Sequence, residues 1–244
     1  MKQDSGTSAA VAFIMILAVA AVAVGVFSAV VLPVEEKELR GLETAEAVSA
    51  LEDTVFLMDS LAEVSFAGDS MVFTALPAGT VQTETLGLLQ LEGSLPVELT
   101  SLTYSGFGGT ALGISAGGVW RKDGGDSVWV MYPKTAYANG VLSFDIPVLT
   151  GDAAYGSSDF VPVGFRYGEN RSSTVSGDAI HLSVHSADSW VLHLWETVFQ
   201  EAAYSADALH AETICGADFV EGVFSLENGT LTVSVEEKRY EVSV

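Results

Sequence analysis

A chain of 244 residues that is 49% hydrophobic and only 17% charged, with 32 acidic side chains against 10 basic ones and a net charge of −22, is a folding sequence with a strongly acidic surface. Its few Lys and Arg are scattered, which excludes an electrostatic grip on nucleic acid. A single cysteine, Cys215, rules out an intramolecular disulfide, and with four histidines it leaves little material for a zinc cage, so packing has to supply the stability.

Residues 7–32, TSAAVAFIMILAVAAVAVGVFSAVVL, carry no charge. As a helix rising about 1.5 Å per residue they reach roughly 39 Å, more than a bilayer core of about 30 Å requires. The run is also about twice as long as the apolar part of a secretory signal. The sequence therefore predicts one transmembrane helix. Lys2 precedes it and Glu35, Glu36 and Glu38 follow it, so the positive-inside rule puts the N-terminus in the cytoplasm and the acidic bulk outside the cell, a single-pass arrangement in the cell membrane. Such a charge surplus repels itself at low salt and is screened over about 8–10 Å at physiological salt, a hint of a salty habitat.

Residues 33–64 predict a helical stem. Pro33 suits a first helical turn, and Val48, Leu51, Val55, Met58 and Ala62 recur at helical spacing, with Leu61 and Val64 beside them. This stripe has two readings: packing on the protein's own β domain, or on neighbouring copies in a filament. From residue 65 onward β-branched and aromatic residues alternate with polar ones between Gly-rich breaks. Strands are predicted at 71–76, 81–91, 97–104, 118–122, 127–132, 141–148, 160–167 and 179–186, with a short one around Phe224 and a last one over 230–244. Asp123-Gly124-Gly125-Asp126, Asn139-Gly140 and Asn228-Gly229 are hairpin turns by composition. One helix interrupts the strands: Asp188 or Ser189 caps it, and Trp190, Val191, Leu194, Trp195, Val198 and Phe199 line one face. The fold class expected is α+β, with a long N-terminal transmembrane and stem helix followed by a mostly antiparallel, sandwich-like, β-rich ectodomain over residues 65–244 containing one packed helix.

The candidates for chemistry are few. Gly113-Ile114-Ser115-Ala116-Gly117 matches the G-x-S-x-G elbow, but a strand and turn follow it where that motif needs a helix, so a loop between strands is the expectation. His181 and His185, four apart on a strand, would lie about 13 Å apart on one face, too far to share a metal. His193 is expected as a partly buried packing residue of the Trp-rich helix, and His210 in a polar loop. Asp123 and Asp126 read as a tight turn, because the alternating oxygen ligands of a calcium loop are missing. Asn170-Arg171-Ser172 and Asn228-Gly229-Thr230 are glycan acceptor patterns in predicted turns, so Asn170 and Asn228 are glycosylation candidates. Cys215 is expected to be buried as a small hydrophobe.

The start of the chain, a short polar leader MKQDSG, then Thr7 and Ser8, then the long apolar helix, resembles the archaeal type IV pilin-like surface proteins. That resemblance implies that residues 1–6 are a cytoplasmic leader removed by a prepilin peptidase between Gly6 and Thr7. It also implies a helical stem with a β-rich head, and brings no catalytic residue, metal or cofactor. The expected function is a pilin-like, membrane-anchored cell-surface structural or adhesion protein and candidate filament subunit, without enzymatic activity. Its expected partners are the lipid bilayer and copies of itself or other pilins, with small residues Ala18, Ala21, Gly25 and Ala29 allowing close helix approach. Two alternatives stay open: a permanently anchored single-pass surface protein whose ectodomain binds a partner and, more remotely, a surface hydrolase built on Ser115.

Overall fold

The computed structural model describes residues 32–64, 71–106, 109–204 and 209–244, together with Met15, Leu17 and Ala21. The chain divides into two compact units, Met1–Glu43 and Thr44–Val244. Helix α1 (Leu32–Val64) begins in the first, and the packing described below belongs to the second. Twelve strands follow, β1 (Met71–Leu91), β2 (Val97–Ser105), β3 (Thr110–Ser115), β4 (Gly118–Asp123), β5 (Asp126–Met131), β6 (Thr135–Ala138), β7 (Val141–Thr150), β8 (Ala154–Gly177), β9 (Ala179–His185), β10 (Leu209–Cys215), β11 (Phe219–Leu226) and β12 (Leu231–Ser243). Helix α2 (Ser189–Tyr204) lies between β9 and β10.

All twelve strands belong to one sheet. Its main path runs β5-β4-β3-β2-β1-β8-β12-β7-β6, and β9 leaves it from the far end of β1 to carry β11 and β10. Pairing is antiparallel throughout except between β12 and β7, which run parallel. The α+β, sandwich-like assignment is therefore corrected: the described residues form a mostly β body of one continuous sheet with two helices. The physical reason lies in the long strands. The Pro77-Ala78-Gly79 stretch, which reads as a break between two strands, is a bulge that β1 passes through while staying paired to β8. β8 likewise continues through its glycines to Gly177, pairing first with β1 and then with β12.

Strands this long can bury different faces at different points. On β12 the odd residues Leu231, Val233 and Val235 enter one core, with α2, while the even residues Tyr240 and Val242 enter the other, with α1. The register of β12 against β7 is unbroken between these groups, so the two cores lie on opposite faces of the same sheet. In the α2 core, Trp195, Phe199, Phe144 and Phe224 are nearly or fully buried and meet in tilted and edge-to-face pairs. In the α1 core, Ala47, Leu51, Val55, Met58 and Leu61 pack on Leu76, Val81, Leu102, Val161, Val163 and Phe165. Of the two readings of the α1 stripe, this is packing on the protein's own β domain.

Among the described residues no helix is long and apolar enough to cross a membrane. α1 carries EEKELR near its start and further carboxylates along its length. The transmembrane, single-pass and cell-membrane readings of the sequence are corrected to that extent: the described residues supply no spanning helix. Most of residues 7–32, and the leader cut between Gly6 and Thr7, lie outside the described residues.

Candidate functional site

The most connected polar site joins α1 to the sheet. Asp59, one turn before the end of α1 and 8% exposed, accepts from the Lys134 ammonium in the segment before β6. On the sheet, Lys238 of β12 donates to Asp145 of the adjacent β7. The Tyr240 hydroxyl, two residues on along the same face, donates to the backbone carbonyl of Met58 at 3.0 Å. Beside them opens a cleft of about 310 Å³ lined by Lys134, Thr135, Ala136, Ser143, Phe144, Asp145 and Glu236. Asp145 Oδ1 faces no hydrogen-bond donor among the described residues, although it is buried.

Burial pulls the Lys238 ammonium down, but the hydrogen bond and charge of Asp145, with Asp59 and Glu236 further off, outweigh it and hold the group above its ordinary value of 10.5. Burial, reinforced by Asp59, Asp145 and Tyr167, pushes the Tyr240 hydroxyl well above 10.0. A lysine held charged is no base or nucleophile at neutral pH, and a phenol held neutral stays a donor. The arrangement can fasten a helix to a sheet; it is not set up to transfer a proton.

A second polar cleft, about 350 Å³, is lined by Gln90, Glu92, Gly93, His181, Ser183 and Glu221. His181 Nδ1 stands 3.0 Å from Glu221 Oε1 on the neighbouring β11, and Ser183 Oγ stands 3.4 Å from His185 Nε2. A serine relay needs one imidazole to meet both the serine and the carboxylate. Here the two contacts fall on different imidazoles, and His185 also lies against the Phe219 ring.

Each residue singled out by sequence has a definite place. Ser115 ends β3 and is buried, its Oγ donating to the Thr100 carbonyl at 2.9 Å. Ala116 and Gly117, at φ 49° and 73°, make a two-residue hairpin turn into β4, not a nucleophile elbow. Asp123 accepts from the Thr110 hydroxyl at 2.6 Å and pairs with Arg121 at 2.8 Å, so its carboxylate is engaged by the two strands of the β3–β4 pair. Asn228 lies exposed in the turn before β12. Asn170 is exposed but sits within β8 opposite Lys238, where a turn was expected.

Three further expectations are corrected. His193 is exposed on α2, 3.4 Å from Glu196 one turn on, because the apolar stripe passes on the other side of the helix. His210 lies on β10, paired across to Ser225, and not in a loop. Cys215 ends β10 in an exposed position, since β10 is an outer strand with no neighbour beyond it among the described residues. Slight burial and the nearby Glu196 carboxylate push its thiol up, so it is mostly protonated and weakly nucleophilic at neutral pH. Sequence reasoning missed the Asp59, Lys134, Asp145, Lys238 and Tyr240 site altogether. The one available signal was Asp59 itself, a carboxylate directly beside Met58 on the apolar side of a helix.

No protein family, curated protein or solved structure matches the chain.

Proposed function

We propose that the chain is a non-catalytic structural or adhesive subunit with a pilin-like layout, a helix leading into a β-rich head. The observation that carries this reading is the fastening of α1 to the sheet. Five apolar side chains from Ala47 to Leu61 are buried on one face, and the Asp59–Lys134 ion pair and the Tyr240 hydrogen bond lock the helix at its end. A helix held this way passes force into a sheet whose strands hydrogen-bond side by side across the whole body, the mechanical property a subunit of an assembly needs. The sequence elements that suggested chemistry are engaged structurally, Ser115 in a buried hydrogen bond and Asp123 in a turn.

Immunogold electron microscopy with antibodies against the β body tests the proposal. Label along filaments or ordered arrays is the expected result. Absence of the chain from every assembly, or an ester or peptide hydrolysis that Ser115→Ala abolishes while the fold persists, would overturn it.

A further inference from the structure

The N-terminal half of β1 differs from the rest of the surface. β2 pairs with β1 only from Thr80 onward, so between Met71 and Pro77 the strand has β8 on one side and no strand on the other among the described residues. Leu76 buries its side chain in the α1 core. Alternation then turns Met71, Phe73, Ala75 and Pro77 to the opposite face. Phe73 lies across from Gly164, Ala75 from Pro162 and Pro77 from Phe160. Gly164 has no side chain, and a Cβ there would meet Met71 Cε at 2.5 Å and Phe73 Cε1 at 2.9 Å, so these two side chains roof that position. Phe73 remains 67% exposed and Phe160 53%. Among the described residues nothing covers this apolar face, and the sequence bordering it from Met71 to Thr83 has no charged residue in a protein that carries 32 acidic ones.

The rim of this face names its occupant. Arg166 of β8 and Glu241 of β12 lie on the same face, directly opposite one another in the ladder and 3.4 Å apart, both at least half exposed. One cation and one anion side by side are self-complementary under a two-fold axis: Arg166 of each copy can meet Glu241 of the other. Elsewhere two chains of net charge −22 repel each other, and a locally neutral face lets them approach. We infer that the Phe73–Phe160 face is a homotypic interface that docks a second copy of this chain, apolar face to apolar face, with Arg166 and Glu241 exchanging partners across the two-fold. The inference rests on the structural reading above for a function that uses self-association.

Sedimentation of the full-length chain, with wild type and variants in one buffer, tests it. Phe73→Glu should weaken self-association at least about thirtyfold, as expected for a central interface aromatic, whereas Val128→Glu, at an exposed apolar position on β5, should leave it unchanged. Arg166→Glu and Glu241→Arg should each weaken association alone, and mixing the two singly reversed chains should restore it as a heterodimer. A wild-type chain that stays monomeric, association indifferent to Phe73→Glu, or reversed chains that fail to recover on mixing would overturn the inference. So would Phe73-dependent binding to neutral lipid vesicles without self-association. Filaments that persist in Phe73→Glu would defeat this interface alone, while Ser115-dependent hydrolysis would defeat the structural reading alone.

Discussion

Trp195→Ala will lower the unfolding free energy by about 3–5 kcal/mol, the usual cost of deleting a fully packed indole. Trp195 is 1% exposed, and its ring stacks 5.7 Å from that of Phe199, which in turn meets Phe144 and Phe224. The void would sit where α2 lies against β9, β10 and β11, and the helix cannot slide to fill it. Trp129 Nε1 holds the Leu194 carbonyl at 2.8 Å and Ser127 Oγ holds that of Trp190 at 3.3 Å. Urea unfolding should show a lower midpoint at unchanged slope, and thermal unfolding a fall of roughly 10 °C. A slope that changes instead would mean that α2 melts apart from the sheet. His193→Ala, on the exposed side of the same helix, should be neutral within about 0.5 kcal/mol.

The second large effect is expected at the opposite core. Lys238→Met leaves Asp145 without a partner for either carboxylate oxygen, since Oδ1 already lacks one. With Lys238 16% and Asp145 24% exposed, solvent relieves part of the penalty, and the expected loss is about 2–3 kcal/mol, below the range for a fully buried broken pair. Lys238→Met with Asp145→Leu should recover most of it, because removing both charges removes the desolvation they share. The pH dependence has a definite sign. Lys238 and Tyr240 are both shifted upward from ordinary values of 10.5 and 10.0, so the folded state holds their protons more tightly than the unfolded chain does. Their contribution is complete at neutral pH and is lost as the pH climbs beyond about 10. Tyr240→Phe should flatten that alkaline limb at a cost near 1 kcal/mol from the lost bond to Met58.

What the sequence disclosed divides by range of interaction. Asn139-Gly140, at φ 52° and 78°, and the Asp123–Asp126 turn are legible because the required backbone conformation is written in the residues that adopt it. β3 was hidden by its glycine. Gly113 reads as a loop residue, but it sits in a strand where a Cβ would strike the Trp120 ring at 2.5 Å, so the glycine answers a tryptophan on the next strand. Pro77 to Gly79 misled for a similar reason: the pairing with β8 carries β1 through a stretch whose local chemistry suggests a stop. The two-faced burial of β12, odd residues then even, is visible as apolar positions once the strand is known, yet which helix covers each half is a tertiary fact. The polar site is the extreme case. Asp59, Lys134, Asp145, Lys238 and Tyr240 come from α1, the segment before β6, β7 and β12 and share no spacing, and in so acidic a chain another carboxylate attracts no notice.

The packed part of α1 and the sheet should unfold as one cooperative unit, and native-state hydrogen exchange measures that directly. The amides of Leu51, Val55 and Met58 should exchange only through the same global opening that releases Tyr240 and Val242 of β12. Exchange of the α1 amides while β12 stays protected would show a helix merely resting on the sheet, and would contradict the account.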